Sequence, residues 1–336
     1  MIYKDRYSID LDEIIGLIDR KKAKVVGLQF PDGLVRFSQD VKDYLEEKKG
    51  ILVLLSGNSS FGSCDIDLDL LKRVDILFHF GHTRMFEIDR VEYIPIKIIL
   101  DKDILHDLLK KSLLYIGSNK MITLVTTPQY RDYLYYIKDF YEHNDITCSI
   151  NDGDSRIKDQ GIILGCNFSA AKRSGDDVIF VGSGSFHSIG IKIATHKKVF
   201  RIDPLMQEIE EITVERLLKR RYALISKSIG FKSVGILVSS KIGQNRFNLA
   251  HRLYKEALDK GYKAYLIYTN LIRPESIGLK VDILVNTACP RIAIDDYVSF
   301  NKPILTPIEF GMILDGKITD KYQMDEIIQE DIYPVF

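Results

Sequence analysis

Three short segments of the chain repeat one pattern. Val74-Asp75-Ile76-Leu77-Phe78, Asp177-Val178-Ile179-Phe180-Val181 and Val281-Asp282-Ile283-Leu284-Val285 each join an acidic residue to an apolar run. Such a run behind a carboxylate reads as a buried strand entered from a polar turn, and its recurrence reads as one unit used three times. Around these segments, runs rich in Val, Ile, Leu and Phe alternate with amphipathic Lys- and Glu-rich stretches, the pattern of βαβ units around parallel strands. The expected fold class is therefore α/β, with three related domains built on mainly parallel four-stranded sheets.

The first domain, 1–105, takes strands at Val25–Phe30, Ile51–Leu55, Asp75–Phe80 and Tyr93–Ile99, with a helix over Leu34–Lys48. The second, 106–206, takes Ile122–Thr126, Ile146–Ile150, Gly161–Leu164, Val178–Val181 and Val199–Ile202. It also takes a helix over Pro128–Glu142 whose aromatic stripe is read as core packing. The third, 207–336, opens with a polar helical connector, Gln207–Lys227. Strands follow at Val234–Val238, Ala264–Tyr268, Asp282–Val285 and Pro303–Leu305.

Forty-seven basic residues balance forty-seven acidic ones, which argues against a general nucleic-acid binder because displacing phosphate counterions needs a positive excess. No run approaches the ~18 apolar residues of a membrane span, and the opening Met1-Ile2-Tyr3-Lys4-Asp5-Arg6 lacks the apolar core of a signal peptide. A cytoplasmic location is expected. Four cysteines, Cys64, Cys148, Cys166 and Cys289, are too sparse for a disulfide framework.

Cys64 and Cys166 each lie eleven residues before the repeated aspartate, behind the turns Gly62-Ser63 and Gly165, whereas Cys289 follows its strand in Thr287-Ala288-Cys289-Pro290. Ligands gather at the carboxyl ends of strands in open α/β sheets, so all three cysteines are expected on loops at such edges. Three thiolates meeting there would suit an iron–sulfur cluster with one iron left open; the bland alternative is three buried small hydrophobes. Zinc is less attractive because a structural site wants four ligands in close pairs. Cys148, in the alternating stretch Asp145–Ile150, reads as structural.

Ser239-Ser240-Lys241-Ile242-Gly243-Gln244-Asn245-Arg246 follows a strand and opens a helix, so it could hold a polar ligand group or merely cap that helix. Gly182-Ser183-Gly184-Ser185-Phe186-His187 begins like a dinucleotide fingerprint but has Phe186 and His187 where the last glycine belongs; it reads instead as a cleft lining. His79 and His82 end a strand, as turn residues or as acid–base groups. Asp295 and Asp296 read as helix caps.

Along nearly its whole length the chain resembles the archaeal-type diphthamide synthase subunit family, which makes 2-(3-amino-3-carboxypropyl)histidine. The resemblance rests on Gln29-Phe30-Pro31-Asp32-Gly33-Leu34, Gly62-Ser63-Cys64-Asp65, His79-Phe80-Gly81-His82, Leu164-Gly165-Cys166, Phe186-His187, Gly243-Gln244 and Thr287–Asp296. It implies three α/β domains in a triangular, pseudo-threefold arrangement, with Cys64, Cys166 and Cys289 holding a [4Fe–4S] cluster. It also implies a homodimer and reductive Cγ–S cleavage of S-adenosylmethionine using an external electron donor. The 3-amino-3-carboxypropyl group then passes to a histidine of translation elongation factor 2. Ser239, Gly243, Gln244 and Arg291 are expected to hold S-adenosylmethionine, with His82 near the entrance as the catalytic candidate. The competing readings are a quinolinate-synthase-like dehydratase, whose cluster acts as a Lewis acid, and a non-catalytic, cluster-bearing accessory subunit.

Overall fold

The computed structural model of the protein describes residues 2–4, 6–117 and 120–328. Among the described residues the strands form four sheets. Three of them share one order. In the first, Leu52–Leu55 lies outside Val25–Gln29, followed by Ile76–Phe80 and Val91–Ile94. The third repeats this with Lys263–Thr269, Ser233–Ser239, Ile283–Asn286 and Ile304–Leu305. Between them, Thr147–Ser149, Met121–Thr126, Asp177–Val181 and Lys198–Asp203 form the second sheet in the same order. All neighbours in these twelve strands are parallel.

The repeated aspartate explains itself in the first and third sheets. The Asp75 carboxylate accepts the N–H groups of Lys24 and Val25 at 2.8 and 2.9 Å, and Asp282 accepts those of Lys232 and Ser233, both at 2.8 Å. Each satisfies donors at the open start of the central strand, and these bonds hold both carboxyls below their usual pKa. In the second sheet the register departs from the sequence alignment by one residue. Asp176, not Asp177, donates its N–H to the first residue of the central strand (Met121 O, 2.7 Å), as Asp75 does to Val25 O (2.7 Å) and Asp282 to Ser233 O (3.0 Å). Asp177 pairs instead with Lys120 at 2.8 Å.

Three other expectations are corrected. Tyr93–Ile99 is two strands, because Pro95 lacks an N–H; Ile96–Ile98 leaves the first sheet to pair antiparallel with Tyr7–Ile9. Gly161–Leu164 is no strand: Thr147–Ser149 already occupies that edge of Met121–Thr126, leaving room for one bridge, Thr126 to Ile162. The connector is helical only from Glu215 to Ser228, while Glu208–Glu211 adds an antiparallel edge to the second sheet. The aromatic stripe is divided: Tyr130 and Tyr141 are buried, Tyr135 and Tyr136 exposed.

Apolar side chains bind each unit to both others. Ile242 of the third packs among Leu71, Leu77 and Val91 of the first. Ile294, Tyr322 and Met324 pack against Phe168, Phe180 and Ile191 of the second, and Ile98 and Leu100 join the core around Leu124 and Ile137. Each fully buried aliphatic of this kind contributes roughly 1.5–3 kcal/mol. With every pair in contact, the units close a triangle, and the loops leaving their strands can meet.

Candidate functional site

Cys64 and Cys166 lie at matching places, each between the outer parallel strand and a one-turn helix, Leu68–Leu71 and Ser169–Lys172 respectively. The Cys64 loop is held from within its own unit by Gln29, whose side-chain amide donates to Asp65 O (2.8 Å) and accepts from Asp67 N–H (3.1 Å). From the third unit, Gly243 N–H donates to Cys64 O at 3.1 Å and Gln244 Nε2 donates to Cys64 Sγ at 3.2 Å. A Cβ on Gly243 would stand 2.3 Å from Cys64 Cβ and 2.5 Å from its Cα, so only glycine permits this approach. Gly243 thus faces the cysteine loop.

Cys166 sits in a tight turn in which Leu164 and Asn167 exchange backbone bonds at 2.9 and 3.1 Å, and its carbonyl accepts Ile327 N–H at 2.8 Å. Cys289 precedes the helix Pro290–Ile294; its carbonyl accepts Asn286 Nδ2 at 2.8 Å and Ile292 N–H at 3.1 Å. The structure brings these three thiols within electrostatic reach of one another. Burial raises all three, Cys64 to about 11; Cys166 pushes Cys64 further up, and both push Cys289 up. Cys148 stands apart in the core of the second unit, buried beside Tyr141. Among the described residues no three His, Cys, Asp or Glu donors converge to hold a single metal ion.

A cavity of about 550 Å³ opens beside the cysteines, lined by Cys289, Ser239, Gln244, Arg291, Asp295 and Asp296 among others. Three of the four residues expected to hold a ligand therefore share a wall with one cysteine; Gly243 is not in that wall and packs on Cys64 instead. The Ser239 hydroxyl accepts Lys241 N–H at 3.1 Å. Arg291, half exposed, donates to Asp295 at 3.1 Å and stands 5.5 Å over the Phe186 ring. Asp295 and Asp296 were expected as caps. Asp295 makes no capping bond and instead belongs to this wall with Asp296, whose carboxyl burial raises.

His82 lines a different cavity, of about 390 Å³, with Thr83, Arg131 and Lys158. Its Nδ1 meets His79 Nε2 at 2.8 Å, and His79 Nδ1 meets Gln29 Oε1 at 2.9 Å. An amide oxygen only accepts, so His79 carries its proton on Nδ1 and His82 is the donor to Nε2. Desolvation holds His79 well below the usual range and His82 at about 4, so both rings are neutral. The chain of bonds continues through Gln29 to the backbone beside Cys64. In the glycine-serine turn, Ser183 Oγ donates to Asp203 at 2.7 Å and meets Tyr130 OH at 3.0 Å, so its hydroxyl is engaged internally.

Sequence reasoning passed over Asp65, Lys241 and Arg156. Lys241 forms a buried ion pair with Asp65 and lies 5.0 Å over the Phe61 ring at the cavity wall. Burial raises the Asp65 carboxyl while Lys241 opposes that. Lys241 and Asp65 lay inside segments already singled out; Arg156 had no such signal.

The sequence profile of a family described as putative diphthamide synthesis protein matches residues 30–324. A 2-(3-amino-3-carboxypropyl)histidine synthase of Pyrococcus horikoshii is 36% identical over 326 residues, 96% of this chain and 94% of the relative. One from Methanocaldococcus jannaschii is 30% identical over 347 residues, covering 97% and 94%. The crystal structure of Dph2 from Pyrococcus horikoshii with a 4Fe-4S cluster matches with a TM-score of 0.88 at 35% identity, over 96% of this chain and 94% of that one. With its three like-ordered sheets, gathered cysteines and a match spanning nearly all its length, the chain belongs to the diphthamide synthesis family.

Proposed function

We propose that this chain transfers the 3-amino-3-carboxypropyl group of S-adenosylmethionine to C2 of a histidine in translation elongation factor 2, the first step of diphthamide biosynthesis. The observation that carries the reading is the meeting of Cys64, Cys166 and Cys289 beside the cavity walled by Cys289, Ser239, Gln244 and Arg291. The relatives named as 2-(3-amino-3-carboxypropyl)histidine synthase support the same activity.

The donor set fits a [4Fe–4S] cluster. Three thiols without a fourth protein ligand would hold three corners and leave one iron open, and thiolates bound to separate corners need not converge on one point. Burial keeps the free thiols protonated, so loading releases protons and is favoured as pH rises. When bound, the cluster would lend the electron that breaks the Cγ–S bond of the sulfonium, with methylthioadenosine as leaving group, and would take one electron back as the substituted imidazole gives up its C2 proton, so the transfer is redox-neutral overall. Gln244 fixes the direction of the Cys64 sulfur through its Nε2–H. Arg291 offers a guanidinium to the carboxylate of the methionine part and Asp296 an acceptor to its ammonium. Holding both ends of that part aims its Cγ–S bond, which is how positioning selects one of three sulfonium bonds. His82, neutral and tied through His79 and Gln29 to the Cys64 loop, is the candidate group for the proton that imidazole C2 gives up. We take the working protein to be a cytoplasmic homodimer served by an external electron donor.

The test is anaerobic incubation of the reconstituted, dithionite-reduced protein with S-adenosylmethionine and elongation factor 2. Methylthioadenosine and a 3-amino-3-carboxypropyl mass gain on the factor are expected. 5′-Deoxyadenosine would refute the cleavage assigned here, and absence of any product would favour the accessory or dehydratase reading.

A further inference from the structure

Among the described residues three arginines are buried: Arg221 at 1% exposure, Arg246 at 4% and Arg156 at 0%. A buried guanidinium is costly unless a carboxylate and hydrogen bonds compensate it. Arg221 has Glu309 on both sides of its fork, and Arg246 has both oxygens of Asp325 at 3.0 Å. Arg156 has no carboxylate partner among the described residues. Its guanidinium reaches Ile327 O, Gly243 O (3.1 Å) and Met85 Sδ (3.1 Å), while Nε–H finds no acceptor. The nearby Asp154 is spent elsewhere, on Arg156 N–H (3.0 Å) and Asn167 Nδ2 (2.6 Å).

What lies opposite this unpaired cation is the cysteine site. Arg156 grips the carbonyl of Gly243, the residue packed on Cys64, and the carbonyl of Ile327, whose N–H holds Cys166. Its charge reaches Cys166 and Cys64, favouring the thiolate of each. Three thiolates on a cubane give a negative assembly, and each electron taken up adds one more negative charge. We propose that Arg156 is the buried counter-charge of the cluster and a positioning residue that makes its one-electron reduction easier. The step needs only an electron from an external low-potential donor, with no bond made or broken in the protein. Cluster potentials respond to net charge and to hydrogen bonds around the sulfurs. The inference rests on the proposed cluster reading.

The experiment is an anaerobic redox titration of the reconstituted cluster, followed by electron paramagnetic resonance, in wild type, Arg156→Gln and Arg156→Lys. Glutamine keeps amide donors and removes the charge; lysine keeps the charge. In Arg156→Gln the reduction equilibrium is expected to weaken at least tenfold, which for one electron is a fall of 59 mV, with Arg156→Lys within threefold of wild type. Loading of the lysine but not the glutamine variant would likewise support a charge role. Equal potentials in wild type and Arg156→Gln, an equal fall in both variants, or failure of both to load would overturn it. A wild type that takes up no cluster would defeat the cluster reading itself.

Discussion

Replacing Gly243 by alanine puts a methyl group where Cys64 already is. The added carbon would stand 2.3 Å from Cys64 Cβ and 2.5 Å from its Cα, whereas carbon atoms rest at about 3.5–4.0 Å. One of the two loops must retreat by roughly 1 Å or more. The obstacle includes backbone, so no side-chain rotation relieves it. Retreat stretches the Gly243 N–H to Cys64 O bond, now 3.1 Å, and the Gln244 contact to Sγ, now 3.2 Å. Overpacking costs about 1–3 kcal/mol and a lost hydrogen bond about 1 kcal/mol, so about 2–4 kcal/mol is at stake. Because the displaced group is a proposed cluster ligand, about a 10–100-fold loss of metal affinity is expected, the scale seen when groups supporting a ligand are altered. Iron per chain after anaerobic reconstitution, with thermal unfolding of the apoprotein alongside, measures both. Gly57→Ala is the control, since nothing lies within 4 Å of a Cβ there. A Gly243→Ala protein that binds iron and unfolds like wild type would mean that the Cys64 loop does not depend on this turn.

Cys64→Ala, Cys166→Ala and Cys289→Ala should each strip iron from the reconstituted protein, while Cys148→Ala should keep it and lose only about 1 kcal/mol as a small buried hydrophobe; iron retained in the first three would end the cluster assignment. Glu309→Ala leaves Arg221 buried without its partner and also frees Tyr322 OH and Thr306 N–H, so urea unfolding should show a loss of about 3–5 kcal/mol. A loss under 1 kcal/mol would show that the pair is not needed. His82 is depressed to about 4 in the folded protein against 6.5 unfolded. The unfolded chain therefore binds the extra proton, and the stability this contributes, up to about 3 kcal/mol, is present above pH 6.5 and lost as pH falls towards 4. His82→Gln should lessen the slope of the apoprotein's stability profile across that window, with His79 and His187 keeping the remainder, and an unchanged slope would refute the assignment.

The sheets were legible because buried parallel strands are continuous apolar runs, and the repeated aspartate marked the same point in the first and third, one residue off in the second. What local pattern could not reveal was occupancy of a sheet edge. Gly161–Leu164 has a strand's composition, yet Thr147–Ser149 takes the edge it would need. The doublet Asp176-Asp177 offered two registers, and only pairing with Met121–Thr126 selects one. At the site, Gln244, Ser239, Cys64 and Cys166 stood in glycine-marked turns and Cys289 at a strand end before a proline, and all could be picked out. Arg156 could not: an isolated charge in a polar stretch reads as solvated surface, and only the packing of three units removes the water; Lys241 stood in the singled-out turn after Ser239, but its burial against Asp65 shows only in that packing.

The same packing explains how loops can carry a demanding site. Each of the three cysteines has its own carbonyl held, and two are held from outside their own sheet. Cys64 O takes a donor from the turn after the Ser233–Ser239 strand, and Cys166 O takes one from the chain's last described segment. Ile242 and Gly243 are neighbours, so the residue that buries itself in the first unit's core also delivers the glycine to Cys64. Arg156 then joins the carbonyls of Gly243 and Ile327, linking the two outside clamps through one cation. The geometry at the cysteines is therefore set by contacts between units. A substitution that loosens a contact between units without touching a thiol, such as one at Ile242, would reach the site through the same bonds.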